Sequence, residues 1–141
     1  MRILYMKTEL TINNQVRAWY RRRRFLVLVQ TTRRVTKIDK DIDISVAFVS
    51  DRVIQQANKQ YRNKNRPTNV LSFCFQENGA LQGEVLLCPA VIKQESQDQK
   101  IRYTEHLDHL FVHGVLHVLG FDHQTKEQER LMEGVEDAIL T

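Results

Sequence analysis

All five histidines of this chain fall in one stretch, HLDHLFVHGVLHVLGFDH, at residues 106 to 123. At about 100° per residue, His106, His109, His113 and His117 lie within an arc of about 80° on a single helix. The rest of the circumference carries Leu107, Leu110, Phe111, Val112, Val115, Leu116, Val118 and Leu119, so the helix is apolar enough to be buried on most of its surface. A solvated stripe is ordinarily lysine and glutamate; four imidazoles in a row ask for another reason. Any fold the chain adopts has to bury this helix around its histidine stripe.

Spacing supplies a reason. His113 and His117 stand one turn apart, so both rings reach a single cation about 2.0 to 2.1 Å from each nitrogen. Gly120 can end the helix in a left-handed conformation, which lets GFDH turn back and bring His123 over the same point. Three neutral imidazoles favour zinc, other first-row divalent metals also bind such a set, and a fourth position stays open for water, as catalytic zinc requires. His109, one turn back, is read as backing a ligand or lining the pocket, and His106 as exposed and incidental. Metzincin proteases share the spacing but place a glutamate directly after the first histidine as general base. Here that position is Gly114, so peptide hydrolysis of that type lacks the group that activates its water. Zinc can itself lower the pKa of its water to about 7.

The 141 residues suffice for one domain with a real core and are too few for two. No run approaches the ~18 to 20 apolar residues of a spanning helix, and MRILYMKTEL has neither the apolar core nor the cleavage site of a secretory signal. A cytoplasmic protein with no membrane association is expected. Cys74 and Cys88 sit in apolar runs without CxxC spacing and read as buried free thiols. The net charge of +4 is concentrated: RAWYRRRR at 17 to 24 holds five arginines, Arg33 and Arg34 follow, and RNKNRP at 62 to 67 adds three cations. Such blocks suit a polyanion, because each phosphate neutralised releases counterions. The Arg17 to Arg24 block is equally a solvated helix face, and the sequence leaves those alternatives open.

The expected order is mixed α and β. Residues 8 to 12 suit a short edge strand, and 15 to 38 are ambiguous, because FLVLV favours strand while its arginine-rich surroundings favour helix. Residues 43 to 49 read as a strand, and Ser50 or Asp51 caps a helix to about Tyr61. VLSFCF (70 to 75) and GEVLLC (83 to 88) form a hairpin or two adjacent strands around the turn signal in QENGALQ. Pro89 opens a helix over about 90 to 99, and further helices cover 103 to 119 and 125 to 139.

Three segments in order, NKQYRNKNRPTNVLSF (58 to 73), LQGEVLLCP (81 to 89) and HGVLHVLGFDH (113 to 123), resemble the YbeY family of metal-dependent endoribonucleases, the rRNA maturation factors. The resemblance is clearest from Asp43 to Leu140. It implies an α/β (α+β) domain over residues 1 to 141 with a small mixed sheet packed by helices and a metal site at the end of a late helix. It also implies one zinc ion on His113, His117 and His123, with Arg62 of the YR motif as the functional arginine. A guanidinium there can hold a phosphate through two hydrogen bonds and offset charge as a phosphodiester becomes pentacoordinate. Lys59, Lys64 and Arg66 are weaker candidates for RNA backbone contacts, and Asn69 and Ser72 for shaping the pocket. Two departures stand out. Many relatives have YRGKD where this chain has Tyr61-Arg62-Asn63-Lys64-Asn65, and Gly-Asp where it has Gly83-Glu84. Glu84 keeps a carboxylate one methylene further out and is grouped with His109 as lining the pocket or backing a ligand.

The implied activity is zinc-dependent cleavage of single-stranded RNA, in maturation of the 3′ end of 16S ribosomal RNA and in ribosome quality control, with ribosomal RNA and ribosomal subunits as partners. The alternative keeps the metal but makes the chain an RNA-binding ribosome assembly factor with little cleavage of its own.

Overall fold

The computed structural model describes residues 6–75 and 79–141. Its elements are β1 (Thr8–Asn14), α1 (Arg22–Thr36), β2 (Ile42–Phe48), α2 (Asp51–Arg62), β3 (Val70–Cys74), β4 (Leu81–Leu87), α3 (Pro89–Gln99), α4 (Tyr103–Val118) and α5 (Lys126–Leu140). The strands form one mixed sheet in the order β1-β2-β4-β3, parallel except for β3 against β4. None of the described helices is long and apolar enough to cross a membrane.

Period-two alternation sorts the strand residues to two faces. Ile42, Ile44, Val46 and Phe48 of β2, with Leu81, Val85 and Leu87 of β4, join one core with α1, α4 and α5. Ala47 and Leu86 point the other way, where Ile54 and Ala57 of α2 cover them. The histidine helix α4 is therefore buried between sheet and helices, as its apolar circumference requires. The ambiguity over residues 15 to 38 resolves as helix. Phe25, Leu28, Val29 and Thr32 are buried while Val27 is exposed, so the apolar run follows the 3.6 period despite its β-prone look. Phe25 lies between the rings of Phe111 of α4 and Phe48 of β2, at centroid distances of 4.1 and 6.1 Å.

Local signals set the other boundaries. The Ser50 hydroxyl accepts from the backbone N–H of Val53, and Thr125 with Gln128 forms a capping box that opens α5. The strand pair expected at 70 to 75 and 83 to 88 is antiparallel, and it forms over 70–74 and 81–87. Of its turn signal, Gln76, Glu77 and Asn78 lie outside the described residues. One thiol departs from expectation: Cys88 is buried, but Cys74, at the end of the edge strand β3, is exposed.

Candidate metal centre

Two close approaches seat α4 on the sheet. A methyl group at Gly114 would come within 2.7 Å of Val85 Cγ1 and 3.0 Å of Ser72 Oγ, and one at Gly83 would collide with the Phe73 carbonyl and Val118. The Ser72 hydroxyl donates to the Gly114 carbonyl at 3.0 Å. With Gly114 against the sheet, His113 and His117 face outward along one side of the helix. At its end Gly120 takes φ 102, its N–H bonds to the His117 carbonyl, and the N–H of Phe121 bonds to Leu116. This Schellman pattern, with Phe121 packed on the core, reverses the chain and returns His123 to its neighbours.

One ring nitrogen from each of His113, His117 and His123 lies within 4.8 Å of the others. Nε2 of His113 is 3.2 Å from Nε2 of His117. Two nitrogens that far apart, each about 2.05 Å from one ion, subtend roughly 100°, close to tetrahedral. The donor chemistry fits as well. The carboxylate of Glu136 on α5 can only accept, so His113 donates Nδ1–H to it at 2.8 Å and turns the lone pair of Nε2 toward His117. Burial first, and then the charges of His113, His123 and Arg62, push His117 down to about 4, which keeps it a neutral imidazole. The residues present thus fit a first-row divalent ion held by three imidazoles.

Glu136 is the functional candidate that spacing did not reveal. It is buried, and burial alone would raise its pKa; hydrogen bonds from His109 and His113, and their charges, outweigh that and bring it down to about 2. His109 Nε2 stands 3.5 Å from the same carboxylate oxygen. That contact, against the opposing effect of burial, holds the His109 pKa above its ordinary value. His109 therefore sits one step behind a candidate ligand, sharing Glu136 with His113. A cavity of about 540 Å³ opens here, and α5 walls it with Glu129, Glu133, Glu136 and Asp137.

The remaining expectations divide. Arg62 ends α2 and is exposed, within electrostatic reach of His117. Lys59, Lys64 and Arg66 are exposed, close to Arg62 in the chain, and the buried Asn58 holds their loop by bonding the Arg66 carbonyl and the Lys64 N–H. Asn63, where many relatives have glycine, adopts φ 57, so asparagine meets the left-handed requirement itself. His106 is buried rather than exposed: α3 packs beside the start of α4, and Glu95 contacts His106 Nε2 at 2.9 Å while accepting from Asn69. Asn69 thus braces α3 instead of lining the histidine cavity.

Glu84 is not with the histidines. Strand alternation turns Gly83 and Val85 toward α4 and Glu84 toward α2, with the sheet between. Within the arginine block, Arg22 donates to the Leu10 carbonyl and Arg24 pairs with Asp108, while Arg33 is buried against Lys7, Thr8 and Lys40. Arg21 lies over the Trp19 ring.

The family model described as Endoribonuclease YbeY matches residues 7–141. The chain belongs to the YbeY family. The match takes in β1 and α1, well before Asp43, where the three motifs alone show little likeness. The curated Endoribonuclease YbeY of Francisella tularensis subsp. novicida (strain U112) is 38% identical in an alignment of 106 residues that covers 70% of this chain and 65% of that protein. For the protein of subsp. tularensis (strain SCHU S4) the identity is again 38%, over 70% of this chain and 63% of the relative. The aligned part thus spans a little under two thirds of these YbeY relatives. The solution structure of TM1509 from Thermotoga maritima shares the fold, with a TM-score of 0.61 over 92% of this chain and 88% of that one, at 24% identity.

Proposed function

We propose that this YbeY-family chain is a zinc-dependent endoribonuclease that cuts single-stranded RNA during ribosomal RNA maturation. Its setting would be the cytoplasm, with ribosomal RNA and ribosomal subunits as partners, the 16S 3′ end as substrate and ribosome quality control as the wider role. The observation that carries the reading is the convergence of His113, His117 and His123 within electrostatic reach of Arg62, with Gly114 in the position where a metzincin has its glutamate. A bound zinc ion supplies Lewis acidity and lowers the pKa of water.

The chain's own residues do the rest. Glu136 fixes the tautomer and ring plane of His113, and His109 steadies Glu136. Arg62, exposed at the end of α2, has a guanidinium that can hold a nonbridging phosphate oxygen and offset charge as the phosphorus becomes pentacoordinate. The acidic wall of α5 repels RNA, so the strand enters from the side of Lys59, Arg62, Lys64 and Arg66.

Purified, metal-loaded protein with single-stranded ribosomal RNA fragments tests this, beside Arg62→Ala and His117→Ala. Cleavage is expected in the parent and lost in both variants. Cleavage unchanged in both would sink the mechanism. RNA binding without cleavage in any metal would favour the assembly-factor role, and chelator-sensitive peptide hydrolysis would restore a protease.

A further inference from the structure

On the face of the sheet away from the histidines, Ala57 and Tyr61 of α2, Phe73 of β3, Phe75 just beyond it, and Glu84 and Leu86 of β4 enclose a cavity of about 180 Å³. Pockets for drug-sized ligands run to about 300 to 1,000 Å³; this one has room for a single flat ring system. Its walls are aromatic. The Tyr61 and Phe73 rings meet edge to face at 5.0 Å and 69°, and Tyr61 and Phe75 are 63% and 54% exposed. Large apolar rings left open side by side mark a binding surface, and exposed aromatics beside cations are how proteins stack single-stranded bases. The cations are adjacent: Lys59 and Arg62 lie on the last turn of α2, and Lys64 and Arg66 follow.

The polar group in the pocket is equally specific. Glu84 is the direct cross-strand partner of Phe73, and it takes part in none of the ion pairs among the described residues. A carboxylate can only accept hydrogen bonds, through two oxygens. On its Watson–Crick edge guanine presents two donors side by side, N1–H and N2–H. Adenine and cytosine offer one donor next to an acceptor that a carboxylate repels, and uracil a single donor between two carbonyls. Arg62 relates the two sites, since it follows Tyr61 directly at the end of α2 and its charge acts on His117.

We propose that this pocket stacks one base of a single-stranded RNA and that Glu84 selects guanine there, with the phosphate next to that base lying on Arg62. The proposal rests on the RNA-cleaving reading of the histidine site. It makes Glu84 a specificity residue of the opposite face, with no part in proton transfer at the metal centre.

Mononucleotides test the pocket without any bond to cleave. GMP, AMP, CMP and UMP are titrated into the metal-loaded chain while the ring resonances of Tyr61, Phe73 and Phe75 are followed by NMR, and the same protein is assayed on RNAs that differ at one nucleotide. GMP is expected to shift those rings and to bind about tenfold or more tighter than the other three, in line with a bidentate base contact. Glu84→Gln, a half-buried change that keeps the volume, should abolish the preference, and Phe75→Ala should weaken all four by about fivefold or more. Equal binding of the four, a guanine preference that survives Glu84→Gln, or tighter binding of methylguanidinium than of GMP would overturn the proposal; the last would give the carboxylate to a cationic partner. Selective GMP binding without RNA cleavage leaves the pocket standing and removes the nuclease reading, while cleavage with no GMP response does the reverse.

Discussion

At position 114 a single missing side chain carries two messages. In the sequence, Gly114 is the place where a metzincin would have its glutamate. In the structure it is the point where α4 touches the sheet, with Val85, Ser72 and Val70 all inside ordinary contact distance of an added Cβ. A glutamate there would point into β3 and β4 and not toward the histidines, so the helix is seated in a way that excludes that chemistry. Gly114→Ala is expected to push α4 off the strands and cost about 1 to 3 kcal/mol, measured as a lower urea midpoint with unchanged slope. Gly134, with nothing within 4 Å, is the control: alanine there should stabilise α5 slightly. The two thiols give a second test at this scale. Cys74 should react with a thiol reagent in the native protein, and Cys88, buried and with its pKa raised by that burial, only on unfolding. Fast reaction of both would contradict the packing of β4 beneath α2.

Between elements, the contact that matters most is the one the sequence hides. His113, His117, Gly120 and His123 were legible because helical period and a chain reversal relate them within one short stretch. Glu136 was not, because it belongs to the next helix and its reach to His113 depends on how α5 docks against α4. His106 departs from expectation for a similar reason: it lies on the stripe, but α3 covers that end of α4 and buries it. Glu136→Gln should therefore leave the fold intact and weaken metal binding by about 10- to 100-fold, measured by competition with a chromogenic chelator. It should also change the acid limb of stability in the metal-free protein. The folded pKa of Glu136, about 2, lies below its ordinary 4.5, so it stabilises the fold above about pH 4.5 and that contribution is lost as pH falls toward 2. His117, held at about 4 against an ordinary 6.5, acts in the same direction: between those values the unfolded chain takes up a proton that the folded chain refuses. Stability should thus decline from about pH 6.5 downward. Glu136→Gln should flatten only the part below about 4.5; a variant curve parallel to the parent through that range would rule out the ion pair.

For the molecule as a whole, the sheet acts as a partition. Its mixed character and the late histidine helix were readable from strand alternation and helical period, whereas which face each strand residue takes required the register, and that is what moved Glu84 from one site to another. The same partition governs how metal couples to stability. A zinc finger has no core without its ion, but here α4 is held by the sheet, α1, α3 and α5 independently of any ligand, so the metal-free chain should remain folded. The segment an ion would steady is the short connection to α5, where His123 is exposed beyond the hydrogen-bonded reversal at Gly120. Binding to the folded state alone adds RT ln(1 + [L]/Kd), about 2.7 kcal/mol at a hundredfold excess over Kd. For a chain of this size that raises Tm by roughly 5 to 15 °C. His123→Ala should leave the metal-free Tm almost unchanged and remove most of the zinc-induced rise, with amide exchange slowing on metal addition across residues 119–125 in the parent but not in the variant. An equal zinc-induced rise in parent and variant would show that His113 and His117 recruit a different third ligand and that the chain reversal at Gly120 serves packing alone.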